Sequence, residues 1–374
     1  MVVADVVIVG GGIAGASLGY RLAPHRRVVI LEAEDQPGYH STGRSAALFT
    51  TTYGHAVIRM LTIAGRAFFL SPPEGFTEVP LMQARRVLWI SRADQSASLA
   101  SALREAIAAD PSAGAVTMDE TLALCPVLDP AYVAGAILEP QGYDIDVNAL
   151  HQGYLAGFRR AGGTVVTGAR AQTIRQGPAG WEIQAGGETY SCGVVVNAAG
   201  AWADAVAGLA GLRPVDLTPK RRTAITFDPP AGAEIADWPC VLDVDEEFYF
   251  KPDAGRILAS PADETPTDPC DAQPEELDIA VTVDRIETAT TLEVRRIAAR
   301  WAGLRTFAPD KVPVVGMDPD APGFFWLAGQ GGYGIMTSPA LSAVAAGLIL
   351  DGTFSEDVSG PGVTAEALSP ARFR

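Results

Sequence analysis

Positive charge, histidine and cysteine are all scarce in this chain. Lysine and arginine number 28 against 44 aspartates and glutamates, for a formal net charge of -16, and there are 4 histidines. A nucleic acid or an anionic membrane surface would meet repulsion here instead of a basic patch, so neither is expected as a partner. The 4 cysteines, Cys125, Cys192, Cys240 and Cys270, are scattered, with no C-x-x-C pair and no zinc-ligand spacing. No metal is expected, and a reduced, cytoplasmic setting fits best. The opening "MVVADVVIVGGG" has no basic stretch before its apolar run, and it reads as a buried strand, not a signal peptide. Near the other end, "ALSAVAAGLIL" falls short of the roughly 20 apolar residues that span a bilayer, so no membrane span is expected. Repeats and low-complexity tracts are also absent from the sequence.

What is present is an ordinary globular balance, 48% hydrophobic and 19% charged over 374 residues, enough for two domains and more than one core. Residues 4–9, "ADVVIV", form a short β-branched run, followed by Gly10-Gly11-Gly12-Ile13-Ala14-Gly15 and a helical pattern through Leu22. "RRVVILEAE" supplies a second strand ending at Glu32, which completes a βαβ unit of about 30 residues. Further along come strand-like "RRVLWIS", helical "QSASLASALREAIAAD", a helix opening at Asp146, antiparallel-looking "QTIRQGPAGWEIQAGGETYSC" and strand "GVVVNAAG". Residues 216–300 read as alternating strands plus an acidic helix around 285–300, and "SPALSAVAAGLIL" reads as a final helix. The expected class is α/β, with a Rossmann-type nucleotide-binding domain built from residues 1–76, 142–214 and 301–374. A second, α+β domain with a mixed sheet, from 77–141 and 215–300, is interleaved with it.

The glycines follow a strand and open a helix, which lets backbone N–H groups and the helix N-terminus approach a pyrophosphate. Glu32 stands where a ribose diol would be held, and its charge disfavours the 2′-phosphate of NADP. FAD and NAD remain. A second glycine-containing strand end, "VVVNAAGAWAD", points to FAD, because a flavin runs far past the first crossover. A third turn, "WLAGQGGYGI", can bring backbone amides to the flavin's pyrimidine edge, where negative charge develops on reduction.

Taken in order, "IVGGGIAGAS", "GYHSTGRSAA", "VNAAGAWAD", "PKRRTA", "FYFKPDAG", "WAGLRTF" and "QGGYGIMTS" cover nearly the whole chain. Across these motifs the sequence resembles the glutathione-reductase-like flavoproteins of the D-amino-acid oxidase family, which includes glycine and sarcosine oxidases. It is most similar to the D-arginine dehydrogenase type. The resemblance implies hydride transfer from an amino acid's Cα to flavin N5, with the imino acid then hydrolysed to a 2-oxo acid and ammonia. It implies FAD contacts from Gly10, Gly12, Ile13, Ala14, Glu32 and Ala33, and from the loop residues Ser41, Thr42, Arg44, Ser45, Ala46, Ala47 and Leu48. Ala171, Gly200, Trp202, Gly303, Gly331, Gly332, Tyr333, Gly334 and Ile335 complete that set. Some relatives attach the flavin covalently through a histidine where this chain has Ser45, so non-covalent FAD is expected.

An amino-acid carboxylate needs a fixed guanidinium, ideally bidentate, to orient its Cα–H. The resemblance puts Arg222 and Arg305 in that role, with Tyr53 and Tyr249 as O–H donors and the Gly332 carbonyl as acceptor for the amine. No side chain stands out as a general base. His25, His55 and His151 read as surface or helix residues, and His40 as a residue that positions FAD or packs.

The side-chain end departs from the D-arginine pattern. The position for an acid facing a distal cation is Val87, Leu48 and Met336 replace polar residues, and Cys240 and Leu242 extend the same apolar wall. An unpaired cation against such a wall costs several kcal/mol, whereas an apolar side chain gains roughly 1.5–3 kcal/mol on burial. Apolar D-amino acids are therefore expected over D-arginine or D-lysine. The loop "GYHSTGRSAALFTTTYG" turns apolar at Leu48 because the flavin ends there and the substrate begins. The electron acceptor is left open between a quinone or other carrier and oxygen. A secondary-amine oxidase acting on sarcosine- or proline-like substrates and a non-catalytic flavin-binding module are the competing readings.

Overall fold

The computed structural model describes residues 1–177 and 180–374, so Pro178 and Ala179, within the expected antiparallel segment, lie outside the described residues. Val6–Val9 is a strand buried at all four positions, as a parallel strand covered on both faces should be. It leads through the glycines into helix Ile13–Leu22, and Val28–Leu31 lies parallel beside it with Val6 opposite Val28. Asp146 caps the helix Val147–Arg160 by accepting from the Ala149 N–H. Thr164–Val166, Val194–Asn197 and Phe324–Ala328 add three more parallel strands, and Val314–Met317 closes one edge in antiparallel pairing.

Alternation along these strands divides two cores. Val6, Ile8, Val28 and Ile30 pack against helices Ile13–Leu22 and Gly334–Leu350. Val7, Val9, Val29 and Leu31 face the other way, onto a small four-stranded sheet that contributes Trp181, Ile183 and Tyr190. The parallel sheet, its helices and this covering sheet form the Rossmann-type part of a mixed α/β fold.

A ten-stranded mixed sheet forms the second layer, running in the order Gln330–Gly331, Ile297–Phe307, Thr218–Phe227, Arg256–Ser260, Tyr249–Asp253, Cys240–Asp243, Val87–Ser91, Gly135–Glu139 and Gly114–Val116, with Thr265–Pro266 pairing to Thr218–Phe227 off this path. One face carries the core of Ile225, Phe227, Val241, Phe250, Leu88 and Ile90 against helix Glu276–Ala289. The opposite face carries their alternates, brought level by register: Arg222 opposite Gly303, Ala224 opposite Trp301, Leu242 opposite Tyr249 and Trp89, and Val87 opposite Cys240 and Glu139. A three-stranded sheet of Leu48–Phe49, Tyr143–Ile145 and Met82–Ala84 joins the two layers.

Two expectations are corrected. The acidic helix is Glu276–Ala289, not 285–300, and Ile297–Phe307 is a strand. Thr290 and Thr291 break the helical run, and pairing with the long strand Thr218–Phe227 outweighs the helical look of the Glu/Arg/Ala composition that follows. That same strand passes without interruption through residue 301, where a domain boundary was expected. Among the described residues no helix is long and apolar enough to cross a membrane.

Candidate active site

Between the carboxyl ends of the parallel strands and the face of the ten-stranded sheet lies a cavity of about 440 Å³. Open α/β sheets bind ligands at that end, where the strand order switches. At one extreme is the glycine turn. Gly10 has φ 109°, and a Cβ there would sit 2.4 Å from the Ala198 carbonyl oxygen; one on Gly15 would sit 1.9 Å from that of Gly10. Only glycine allows strand, turn and helix to approach this closely. Glu32 is buried, with Oε2 accepting from the Gly11 N–H at 2.9 Å and Oε1 from the Glu34 N–H at 3.0 Å. Thr42 Oγ1 accepts from the Ile13 N–H at 3.0 Å, which ties the following loop to the helix N-terminus.

That loop is held from both sides. Ser41 Oγ donates to the Leu304 carbonyl at 2.6 Å, and the Arg44 carbonyl accepts from Trp301 Nε1 at 3.0 Å. Arg44 lines the cavity, but its guanidinium pairs with Asp271 and donates to the carbonyls of Ala272 and Ala302. His40 lies 3.1 Å from Glu34 Oε1 and packs on Trp202, with ring centroids 4.6 Å apart. His151, expected on the surface or in a helix, lies in the helix Val147–Arg160 and is buried: its Nε2 is 2.9 Å from the Gly11 carbonyl oxygen, and its ring fills the space beside Gly38. Burial holds its pKa below the ordinary imidazole value. His25 is exposed, and His55, also exposed, caps the helix Ala56–Leu70.

The residues present fit FAD. The lining is small where a pyrophosphate would pass: a Cβ on Gly12 would already crowd Thr42 Oγ1 at 3.2 Å, and Gly200, at φ 55°, has nothing within 4 Å of where its Cβ would be. Ala33, Ala171 and Trp202 line the Glu32 end, and Ser45, Ala46, Ala47, Gly303, Gly331, Gly334 and Ile335 line the far end. Gly332 also lines it, and a Cβ there would overlap the Arg305 guanidinium at 1.9 Å, so this glycine makes room for that arginine. Tyr333 is the exception within the expected set. It does not line the cavity but packs behind it, its ring 5.2 Å from Tyr53 and 5.5 Å from the Arg305 guanidinium.

At the far end the two arginines converge. Arg305 is largely but not fully buried, with Nη2 donating to the Tyr53 hydroxyl at 3.2 Å and Nη1 lying 3.4 Å from Glu264. Arg222 Nε donates to the Asp263 carbonyl at 2.9 Å, and its Nη2 is 3.5 Å from the same Glu264, which Lys220 also contacts at 2.8 Å. Three cations therefore draw on one carboxylate. Burial alone would raise the Glu264 carboxyl, but Lys220, Arg305 and Arg222 bring it below the ordinary value. Arg221, on the opposite sheet face, takes up Asp278 and Glu275 instead. Tyr53 donates onward to Glu246 at 2.9 Å, and burial pushes its phenol pKa up, so it remains a donor at neutral pH.

Leu48, Val87, Cys240, Leu242, Met336 and Tyr249 all line this end. Burial pushes the Cys240 thiol up to about 12, so it meets a ligand as a neutral, weakly polar group. Sequence reasoning missed four polar side chains in or behind the wall. Thr50 and Trp89 both donate to the buried Glu139, at 2.8 and 2.6 Å, and burial raises that carboxyl. Lys251 lines the cavity and pairs with Asp144 at 2.6 Å. Period-two alternation from Tyr249 was the signal available for Lys251, and from Val87 for Trp89.

Comparison with known proteins agrees with this geometry. A family model described as "FAD dependent oxidoreductase" matches residues 5–348. An uncharacterized oxidoreductase of Bacillus subtilis is 25% identical over 94% of this chain and 96% of its own. Glycine oxidase of Geobacillus kaustophilus is 23% identical over 92% of each chain. The crystal structure of glycine oxidase from that organism superposes with a TM-score of 0.82 over 95% of this chain and 96% of that one, at 22% identity. L-proline dehydrogenase from P. horikoshii gives 0.83 over 100% and 98%, at 19% identity. From the glycine turn to the glycines around Arg305, this chain belongs to the DAO family of FAD dependent oxidoreductases.

Proposed function

We propose that the protein oxidatively deaminates D-amino acids, with apolar side chains favoured over D-arginine and D-lysine. The observation that carries the reading is the pair of largely buried guanidiniums, Arg222 and Arg305, that share Glu264 with Lys220 and retain donors for a second anion. A substrate carboxylate supplies that anion, and bidentate pairing fixes its orientation. Tyr249 adds a hydroxyl donor, Tyr53 adds one on turning its single O–H from Glu246 to the substrate, and the Gly332 carbonyl accepts from the amine. FAD, when bound, supplies the hydride acceptor. With no base at hand, the amine proton leaves to solvent as Cα loses its hydride and the C=N bond forms; water then converts the imino acid to a 2-oxo acid and ammonia. The protein's contribution is alignment. Leu48, Val87, Leu242 and Met336 receive the side chain, and none of them answers a cation.

Anaerobic mixing with D- and L-amino acids, read as loss of flavin absorbance, tests this reading. Bleaching by D-leucine or D-phenylalanine, and only weakly by D-arginine, is expected; D-arginine as the best substrate would overturn the side-chain assignment. Faster bleaching by N-methyl amino acids or proline would favour the secondary-amine reading, which the names of the similar L-proline dehydrogenase and mouse dimethylglycine dehydrogenase support. No bleaching by any amine would point to a flavin-binding module. The flavin is held without a covalent bond, so acid precipitation should release all the yellow colour into the supernatant.

A further inference from the structure

The side-chain wall includes one strongly polar group that the carboxylate clamp does not use. Lys251, in strand Tyr249–Asp253, is 6% exposed and lines the cavity two residues beyond Tyr249 on the same sheet face. An ammonium carries three donors, and among the described residues its one hydrogen-bond partner is Asp144 Oδ1 at 2.6 Å. That carboxylate is shared, because Arg85 Nε donates to its other oxygen at 2.7 Å. Two buried cations thus meet one anion, and two ammonium donors stay uncommitted. Beside Lys251 the sheet face continues through Cys240 and Val87, which give it no acceptor.

We propose that Lys251 is a specificity-determining residue at the distal end of the substrate pocket, donating to an amide or carboxylate oxygen at the tip of an otherwise apolar side chain. This rests on the amino-acid reading above. Register through Thr226, Leu258 and Lys251 sets Lys251 two strands and four residues from Arg222 on one face. Strand spacing and rise make that roughly 16 Å between backbones, so the two cationic side chains bracket a bound amino acid from opposite ends. The same ammonium repels a distal cation, in line with the loss of an acid at Val87.

The test compares kcat/KM for D-glutamine, D-glutamate and D-norleucine, which have similar length and differ at the tip. In the unmodified holoenzyme at least one acceptor-bearing substrate should exceed D-norleucine, on the order of tenfold for a charge-assisted bond. That ratio should collapse in Lys251→Met and recover in part in Lys251→Arg, with flavin content and melting temperature recorded for each. D-Norleucine matching both acceptor-bearing substrates in the unmodified enzyme overturns the proposal even if Lys251→Met does not fold. So does an unchanged ratio in a folded Lys251→Met. If D-leucine bleaches the flavin while these ratios are flat, only the Lys251 assignment fails. If no amino acid bleaches it, the functional reading itself fails.

Discussion

At Arg305 the guanidinium meets a phenol at 3.2 Å and a carboxylate at 3.4 Å, longer than charge-assisted bonds usually are. A largely buried group left in that condition is prepared for a better partner. Arg305→Met should therefore weaken carboxylate substrates by on the order of 100-fold in kcat/KM, equivalent to one or two charge-assisted bonds, while the protein still purifies with flavin. Steady-state kinetics against flavin content checks this, and loss of flavin would mean that Arg305 holds the fold instead. Val87 sits between Cys240 and Glu139 on the cavity face. Val87→Glu should shift the preference toward D-arginine and D-lysine, measured as the ratio of kcat/KM to that for D-leucine; an unchanged ratio would remove Val87 from the side-chain site. Arg305 could be picked out in the sequence because the motif "WAGLRTF" fixes its register, whereas Val87 was reached only through "VPLMQARRVLWI", which is not one of the motifs. Glu139 and Asp144 could not, since an isolated acid in a chain with 44 of them carries no mark of burial.

Elements succeed or fail by what they touch. The helix Ile13–Leu22 starts with no side-chain cap, and its first turn is shaped by the close approach of Gly15 to the Gly10 carbonyl. Gly15→Ala would force that turn open, so the variant should purify largely free of flavin, and absorbance relative to protein checks it. This βαβ unit was readable because its signals are local: a β-branched run, three glycines and an acid at the next strand end. The strand Ile297–Phe307 was misread because its composition is helical and its partner, Thr218–Phe227, lies some 80 positions earlier. Alternation in "EFYFKPDAG" was seen, yet Lys251 was passed over in favour of Tyr249.

For the whole molecule, stability and flavin binding meet at His151, which joins the helix Val147–Arg160 to the dinucleotide turn. Its folded pKa lies below the unfolded value of 6.5, so the unfolded chain takes up protons first as pH falls. Its contribution is complete above pH 6.5 and is lost progressively below it. The melting temperature should fall between pH 7 and 5, and less steeply in His151→Gln, whose amide can still donate to Gly11; parallel slopes would assign the acid sensitivity elsewhere. The two-layer plan was legible from the order of strands and glycine turns. The cavity was only partly so, because its wall draws on residues from Val9 to Met336 that only tertiary pairing makes adjacent.

The ten-stranded sheet keeps its larger core on one face, and on the other it sets a smaller cluster of Val87, Trp89 and Ile137 beside the residues that line the cavity. On the proposed reading, exchanges at Val87, Cys240, Leu242 and Lys251 would change what the site accepts while Leu88, Val241 and Phe250 stay in place on the opposite face. A lineage, or a laboratory library, could then search new substrates at these positions one at a time while the larger core is left untouched.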